Sequence, residues 1–193
     1  METLVIIGLT MFAYLLGSVS TAIITCKAMG LPDPRAEGSH NPGATNVYQI
    51  AGRKAAIITL LGDLLKGFIP VLIARLVGLD ELVLASIAMA AFMGHLYPIF
   101  YRFQGGKGVA TAFGIVLGIN AWVALVMLLS WLLVYKTFKL SSLAALVTAL
   151  FTPLYFYFID GSFIYTSMAI VITVFIFYSH RSNIEKIIDG TED

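Results

Sequence analysis

Charged residues and cysteines are scarce in this sequence of 193 residues. Only 12% of the residues are charged, whereas an ordinary soluble domain has about 25%. Hydrophobic residues make up 59% of the chain, and a soluble fold of this size could not bury so much apolar surface. We therefore expect an all-α integral membrane protein, with one multi-pass domain over residues 1–193.

Several classes of site are excluded by what the sequence lacks. Its one cysteine, Cys26, allows neither an intrachain disulfide nor a cysteine-based metal cluster. The three histidines are scattered, and neither H-E-x-x-H nor the Ser-x-x-Lys and Gly-x-Ser-x-Gly motifs occur. We predict no metal and no cofactor. The net charge of +1 gives no argument for a polyanionic partner, and we expect no nucleic acid.

Apolar runs that could cross a bilayer recur along the chain. A spanning helix needs about 20 mostly apolar residues. The runs cover residues 4–29, 55–77, 82–100, 109–135, 142–159 and 163–178. The run at 109–135 is long for one span and short for two, so it decides the topology.

The positions of Lys and Arg favour one topology. Ten of the twelve basic residues share a face, which the positive-inside rule makes cytoplasmic, if residues 109–135 cross the membrane twice. This predicts seven transmembrane helices, with the N-terminus outside and the C-terminus cytoplasmic. Two short helices in the middle would turn near Gly118-Ile119-Asn120. The alternative is one long tilted helix at 109–135, which gives six spans.

The first polar segment, Leu31–Asn46, is rich in glycines, hydroxyls and amides. Within it, Gly38–Asn46 has the composition of an anion cradle. Glycine exposes backbone N–H groups, while Ser, Thr and Asn add further donors. A plain turn followed by a helix N-cap is the alternative interpretation.

A second polar segment, Phe103–Gly108, opens directly into a helix. Its N–H groups, the helix dipole and Lys107 all favour an anion, which predicts a phosphate site. It is not a Walker A motif, because Gly108 stands where Ser or Thr is required. It is not G-x-G-x-x-G either, because Thr111 occupies the last place. A tight turn with a cytoplasmic lysine is the alternative.

Two opposite charges lie inside an apolar run. Asp63 and Lys66 are three residues apart, so they are neighbours on one helical face. Charges at this depth face the interior of a bundle. We expect an internal ion pair, or side chains that support the polar loops.

Further polar residues are predicted at the same cytoplasmic face. His95 and Tyr97 end one span, Ser142 opens another, and His180 and Asn183 close the last. The site itself is predicted from Ser39–Asn46, Lys107, Ser142, His180 and Asn183, which suit a substrate with an anionic head and a lipid-like tail.

Six motifs together resemble one family. They are Gly38-Ser-His-Asn-Pro-Gly-Ala-Thr-Asn46, Asp63-Leu-Leu-Lys-Gly67, Gly94-His-Leu-Tyr-Pro98, Gly105-Gly-Lys-Gly-Val-Ala-Thr-Ala112, Ser142-Leu-Ala and His180-Arg-Ser-Asn-Ile184. In this order and spacing they resemble PlsY, the bacterial acyl-phosphate:glycerol-3-phosphate acyltransferases, over essentially the whole chain.

The resemblance implies a multi-pass enzyme of the bacterial plasma (inner) membrane. It would transfer a fatty acyl group from acyl phosphate to the 1-hydroxyl of glycerol 3-phosphate. The products would be lysophosphatidic acid and phosphate, in the first step of phospholipid synthesis. Membrane lipid and the enzyme that makes the acyl phosphate are the expected partners beside the two substrates.

Site residues follow from the matching motifs. The catalytic candidates are Ser39, Lys107, His180 and Asn183. The substrate-binding candidates are Asn41, Gly43, Thr45, Asn46, Arg53, Gly105, Gly106, Gly108 and Ser142. Backbone N–H groups of the Ser39–Gly43 stretch and the Ser39 hydroxyl would hold the acyl phosphate, and Lys107 would neutralise a phosphate.

Two positions depart from the family pattern. Gln49 stands where relatives commonly carry Arg, and Arg53, one helical turn on, is the expected substitute. His40 stands where relatives often have Gly, and we assign it no chemistry.

A small multi-pass transporter of a phosphorylated solute is the rival prediction. Transporters usually show internal repeats and interrupted helices near the midplane. Here the polar motifs crowd one predicted face and no repeat is evident. These features favour the enzyme.

Overall fold

The computed structural model describes residues 2–192, and within them the regular elements are helices, with no strand. The α-helices, in chain order, are α1 (Glu2–Gly17), α2 (Thr21–Ala28), α3 (Ala44–Leu76), α4 (Glu81–Leu96), α5 (Val109–Ile119), α6 (Ala121–Phe138), α7 (Ser141–Tyr155), α8 (Phe163–Ser179) and α9 (Arg181–Ile188). A 3-10 turn, Ile99–Tyr101, follows α4, and a π-helical segment, Phe156–Asp160, extends α7. The predicted all-α fold class is confirmed for the described residues.

Within the described residues, four helices are long and apolar enough to cross a membrane. The number is up to six if the bent pairs α1–α2 and α8–α9 each count as one span. Helix α5 has 11 residues, so it is about 16 Å long, roughly half of the hydrocarbon core. Seven spans therefore require α5 to count as one. That number and the orientation of the termini stay predictions.

The apolar run at residues 109–135 is divided as the charge pattern predicts. The break falls on Asn120, whose side chain accepts hydrogen bonds from the N–H groups of Trp122 and Val123 at 2.9 and 3.2 Å. This cap starts α6, so the single long helix that would give six spans is wrong. Of these two helices only α5 is short. The apolar residues after the cap continue to Phe138, so α6 has 18 residues. The expectation of two short helices is corrected accordingly.

The described residues divide into two compact units, one that ends at Gly118 and one that begins at Ile119. Each unit is described by itself below. The first contains α1 to α5, and the second contains α6 to α9. A single domain over the whole chain stays a prediction.

Glycines let two helices of the first unit approach closely. Gly17 of α1 lies against the backbone of Ala91 in α4, and Gly94 of α4 lies against the carbonyl of Tyr14. A side chain at either glycine would meet backbone atoms of the other helix. Small residues at such contacts are typical of helix packing in membranes.

Helix α5 runs beside the second half of α3. Gly67 of α3 lies against the backbone of Thr111 near the start of α5. At the other end, Arg75 donates a hydrogen bond to the carbonyl of Gly118 at 3.4 Å. Helix α5 therefore begins level with Asp63, whose backbone carbonyl accepts a hydrogen bond from Thr111. The polar segment before α5 thus reaches the middle of α3.

In the second unit, a hydrogen bond joins two turns. Asn120 donates through Nδ2 to Oδ2 of Asp160 at 2.7 Å. Farther along, Thr173 of α8 donates to the carbonyl of Ala149 in α7 at 2.7 Å. The turn before α6 and the turn before α8 lie at the same end of this unit, as the seven-span topology requires.

Candidate active site

The first polar loop, residues 31–43, is organised by the side chain of Asn46. Asn46 lies in the first turn of α3 and is 1% exposed. Its Nδ2 donates to the carbonyls of Pro34 and Glu37 at 2.8 and 3.1 Å, and its Oδ1 accepts from the Ser39 N–H at 2.8 Å. One side-chain amide therefore satisfies three backbone groups of the loop. We infer that Asn46, expected to bind substrate, holds the loop in shape.

The N–H groups expected to cradle an anion are largely used inside the loop. Besides Ser39, His40 donates its N–H to a loop carbonyl at 3.1 Å. Gly43 donates to the carbonyl of Asn41 at 2.8 Å, and Pro42 has no N–H. Three N–H groups of this stretch thus have partners inside the loop or at Asn46, and the main-chain cradle stays a prediction.

The start of α3 offers donors in place of the loop. The helix begins at Ala44, and Gly43 before it has no side chain to cap the first turn. The first N–H groups of a helix lack intrahelical partners, and the dipole there favours an anion. Thr45 is exposed and Asn41 is half-buried beside this turn. These residues stay candidates for substrate contact.

Arg53 lies beyond a break in α3. Gly52 has φ 83° and ψ 178°, which interrupts the helical backbone and suits glycine. Gln49 and Arg53 are both exposed, but they are not one turn apart on a continuous helix. Arg53 was expected to replace the arginine missing at Gln49 because it would lie one helical turn away, and that reason is wrong. A phosphate contact by Arg53 stays a prediction.

The glycine turn, residues 104–108, lies against the C-terminal end of α4. Gly106 donates its N–H to the carbonyl of His95 at 3.3 Å. Gly105 packs on the same carbonyl, and Gly106 packs on the imidazole ring of His95. A side chain at either glycine would collide with these atoms. The glycines are thus required by close packing against His95.

Lys107 follows this contact at the start of α5. It is half-buried. The next residue, Gly108, has a left-handed φ of 84° and packs on the ring of Phe92. The predicted glycine turn ahead of a helix is confirmed, and its phosphate stays a prediction.

Beside the glycine turn lies a buried polar network. Lys66 and Asp63 form the predicted internal ion pair, with Nζ 2.8 Å from Oδ1 and both side chains at most 5% exposed. Lys66 also donates to the carbonyl of Val19 at 2.9 Å. The Thr111 hydroxyl is 2.9 Å from the Asp63 carbonyl and 3.1 Å from Nδ1 of His95. Lys66 therefore supports the turn between α1 and α2, and the backbone carbonyl of Asp63 holds the start of α5. Support of the two polar loops by the pair itself stays a prediction.

A small pocket of about 10 Å³, roughly the room that one water molecule needs, opens among these groups. Lys66 and His95 line it together with Gly105, Gly106 and Pro42. The structure thus brings the first loop and the glycine turn together, as the sequence predicts. Within residues 2–192, no three His, Cys, Asp or Glu side chains are grouped so that they could hold a metal ion.

Two predicted residues of the second unit are buried. Ser142, at the start of α7, is 4% exposed, and its hydroxyl has no hydrogen-bond partner among the described residues. His180, between α8 and α9, is also 4% exposed and donates through Nδ1 to the carbonyl of Ile176 at 2.8 Å. In the neutral ring the lone pair is then on Nε2, which suits a hydrogen-bond acceptor or a base.

Asn183 is held by a residue that sequence reasoning did not select. Its Nδ2 donates to Oε1 of Glu192 at 2.6 Å. No sequence pattern in the polar tail predicted this pairing. The two residues meet only because α9 and the turn after it bring them together. The convergence of Ser142, His180 and Asn183 with the residues of the first unit stays a prediction.

His95 is the second residue missing from the predicted site. Its place at the end of a span was recognised, but its contacts were not. It is 6% exposed, and its Nε2 has no hydrogen-bond partner among the described residues. The Gly94-His95 pair before a polar turn was the available signal, since a buried histidine there needs partners.

Comparisons of the sequence and of the structure with known proteins both find glycerol-3-phosphate acyltransferases. A family model described as glycerol-3-phosphate acyltransferase matches residues 7–190. The glycerol-3-phosphate acyltransferase of Thioalkalivibrio sulfidiphilus is 52% identical over 96% of this chain and 91% of its own length. That of Methylococcus capsulatus is 50% identical over 94% of this chain and 91% of its own.

Two crystal structures have the same fold. Both are of PlsY, an integral membrane glycerol 3-phosphate acyltransferase, in a glycerol 3-phosphate form and a lysophosphatidic acid form. Their TM-scores are 0.93 and 0.91, with 40% and 39% identity, and each match covers 97% of this chain and 94% of the other. This chain, a multi-pass membrane protein with several apolar helices, therefore belongs to the glycerol-3-phosphate acyltransferase family.

Proposed function

We propose that this chain transfers a fatty acyl group from an acyl phosphate to the 1-hydroxyl of glycerol 3-phosphate, at the cytoplasmic face of the bacterial inner membrane. The products are lysophosphatidic acid and inorganic phosphate. The observation that carries the proposal is the packing of the glycine turn around Lys107 against a buried polar network, within a chain that matches the family from residue 7 to residue 190.

The chemistry demands little of the protein's own nucleophiles. In an acyl phosphate the carbonyl carbon is already activated, because phosphate is a good leaving group. The glycerol hydroxyl oxygen forms the new ester bond, and the bond between the carbonyl carbon and the phosphate oxygen breaks. Phosphate leaves with the bonding electron pair. Orientation and charge neutralisation are the main tasks left to the enzyme.

Residues of the first unit suit the phosphates. Lys107, beside the first turn of α5, supplies a positive charge where a helix dipole also favours an anion. Ser39 is exposed on a loop that Asn46 holds in shape, and its hydroxyl is a candidate ligand of the acyl phosphate. The first turn of α3, with Thr45, supplies further donors.

Residues of the second unit suit the acceptor and the proton. We assign Ser142 and Asn183 to binding of glycerol 3-phosphate. The hydroxyl proton passes either to a substrate phosphate or to Nε2 of His180. If His180 is the base, His180→Asn removes one limb of the pH profile of kcat; if a phosphate is the base, that limb remains.

A single-compartment assay tests the proposal. Purified protein in detergent, given acyl phosphate and glycerol 3-phosphate in one tube, should release lysophosphatidic acid and phosphate. A transporter of phosphorylated solutes would release neither product there. Absence of both products with correctly folded protein would reject the acyltransferase.

A further inference from the structure

His95 lines the pocket beside the glycine turn and has one ring nitrogen that is buried against Gly106. Its ring is almost fully buried, and Nε2 has no partner among the described residues. The same ring packs on Gly106, next to Lys107, and lines the pocket with Lys66. Most buried polar atoms have a hydrogen-bond partner, so one without a partner beside a cavity is a candidate for a hydrogen bond to a ligand.

The hydrogen-bond network sets the chemical nature of that atom. The Thr111 hydroxyl has one proton, and the backbone carbonyl of Asp63, 2.9 Å away, can only accept it. The Thr111 oxygen therefore accepts at 3.1 Å from His95, so Nδ1 carries the ring proton. In the neutral imidazole, Nε2 is then a bare acceptor.

The rest of the pocket favours a hydroxyl over a phosphate. The charge of Lys66 is offset by Asp63, with which it forms a buried ion pair. Lys66 donates to Asp63 and to Val19, which leaves one ammonium proton as a donor. The pocket thus pairs a donor with the acceptor Nε2 of His95. A hydroxyl group satisfies both, whereas a phosphate would set its oxygens against the lone pair of Nε2.

We propose that Nε2 of His95 accepts a hydrogen bond from the 2-hydroxyl of glycerol 3-phosphate and so directs acylation to the 1-hydroxyl. This rests on the function proposed above. The reacting hydroxyl must meet the acyl carbon, and a pocket of about 10 Å³ has room for about one hydroxyl and not for a fatty acyl chain. The hydroxyl held there is therefore the one that stays unacylated.

Two substitutions separate this role from a purely structural one. His95→Asn places an amide N–H near the position of Nδ1, so the bond to Thr111 can persist while the acceptor at Nε2 is lost. His95→Gln places an amide oxygen near Nε2 and loses the bond to Thr111. With glycerol 3-phosphate, His95→Asn should raise KM about 5- to 10-fold, the loss expected for one uncharged hydrogen bond. His95→Gln should recover most of this, and the KM for acyl phosphate should not change.

An acceptor without the 2-hydroxyl supplies the second readout. On 3-hydroxypropyl phosphate, the wild type and His95→Asn should have the same KM. The wild type itself should prefer glycerol 3-phosphate by about the factor that His95→Asn removes, and this comparison needs no variant to fold. Thermal melts in detergent give the folded state of each variant.

The outcomes distinguish the two proposals. A wild type without acyltransferase activity would reject the function. An active wild type with equal KM for both acceptors would overturn the role of His95 and leave the function intact. So would the reverse variant pattern, with His95→Asn normal and His95→Gln impaired, because it would show that only the bond to Thr111 matters.

Discussion

The two polar segments of the first unit are built in opposite ways. The first loop is held mainly by contacts that are local in sequence. Asn46, just after the loop, binds three of its backbone groups, and other N–H groups donate to carbonyls within the loop. The glycine turn is held from outside, by His95 of α4 and by the network of Asp63, Lys66 and Thr111. The comparison teaches that two polar segments of similar composition can be held in shape by different contacts.

The largest expected effect concerns the support of the glycine turn. Asp63→Ala should leave Lys66 as a buried, unpaired charge and lower the free energy of unfolding by about 3–5 kcal/mol. Chemical or thermal unfolding in detergent measures it. Asp33→Ala, in the exposed first loop, is the matched control and should change stability far less. Equal losses from the two variants would contradict the difference between the segments.

The next effect is on activity. Lys107→Ala should remove the proposed charge-assisted hydrogen bond to a substrate phosphate, and such a bond contributes about 1.5–3 kcal/mol. Activity with both substrates below their KM should therefore fall roughly 10- to 200-fold. Lys107→Arg should be rescued only in part, because the wider guanidinium fits a tight glycine turn poorly. Melting temperature is the control and should hardly move. Near-full activity of Lys107→Ala would remove the turn from the active site.

The next prediction concerns the first loop and its dependence on Asn46. Asn46→Ala deletes three hydrogen bonds of the first loop and should cost about 1–3 kcal/mol of stability, because buried carbonyls lose their partner. Asn46→Asp keeps the acceptor for the Ser39 N–H but loses both donated hydrogen bonds. We expect it to lose no more stability than Asn46→Ala does. Thr45→Ala, at the exposed neighbouring position, is the control for stability. Stability unchanged in Asn46→Ala would show that the loop does not depend on this amide.

The smallest effect is a pH dependence of the first loop. The hydrogen bonds from Arg35 to Asp33, 2.7–3.0 Å long, lower the pKa of the Asp33 carboxyl. The pair's contribution is therefore present above the ordinary pKa and lost as pH falls through the lowered one. Both side chains are 41% exposed, so it should stay below about 1 kcal/mol. Unfolding of wild type and Asp33→Asn over a pH series from 7 down to about 2 measures it. A difference that does not shrink as the pH falls would contradict the ion pair.

Local rules predicted much of the helical framework. The Asp63–Lys66 pair follows from helical spacing, and the break at Asn120 follows from the distribution of basic residues. Both depend on residues near in sequence or on the charge balance of whole loops. The same rules did not predict the break at Gly52, although a glycine inside a helical pattern is a known signal of one.

The site was less predictable where tertiary contacts decide a residue's role. Asn46 is a residue type that often binds ligands, so the sequence favoured that role. Its actual partners, Pro34 and Glu37, lie in a loop without periodicity and could not be predicted from a pattern. The importance of His95 depends on Thr111, which packs beside it only once α5 is in place. Such roles follow from where distant chain segments meet, and no spacing rule contains them.

The central claim is transfer from acyl phosphate to glycerol 3-phosphate, and donor specificity with product stoichiometry tests it most directly. Purified protein should form one lysophosphatidic acid for each phosphate released from acyl phosphate. The same protein should form none from acyl-CoA or acyl carrier protein, since neither carries a phosphate on the acyl carbonyl. Comparable turnover with acyl-CoA, or phosphate release without lysophosphatidic acid, would contradict the account.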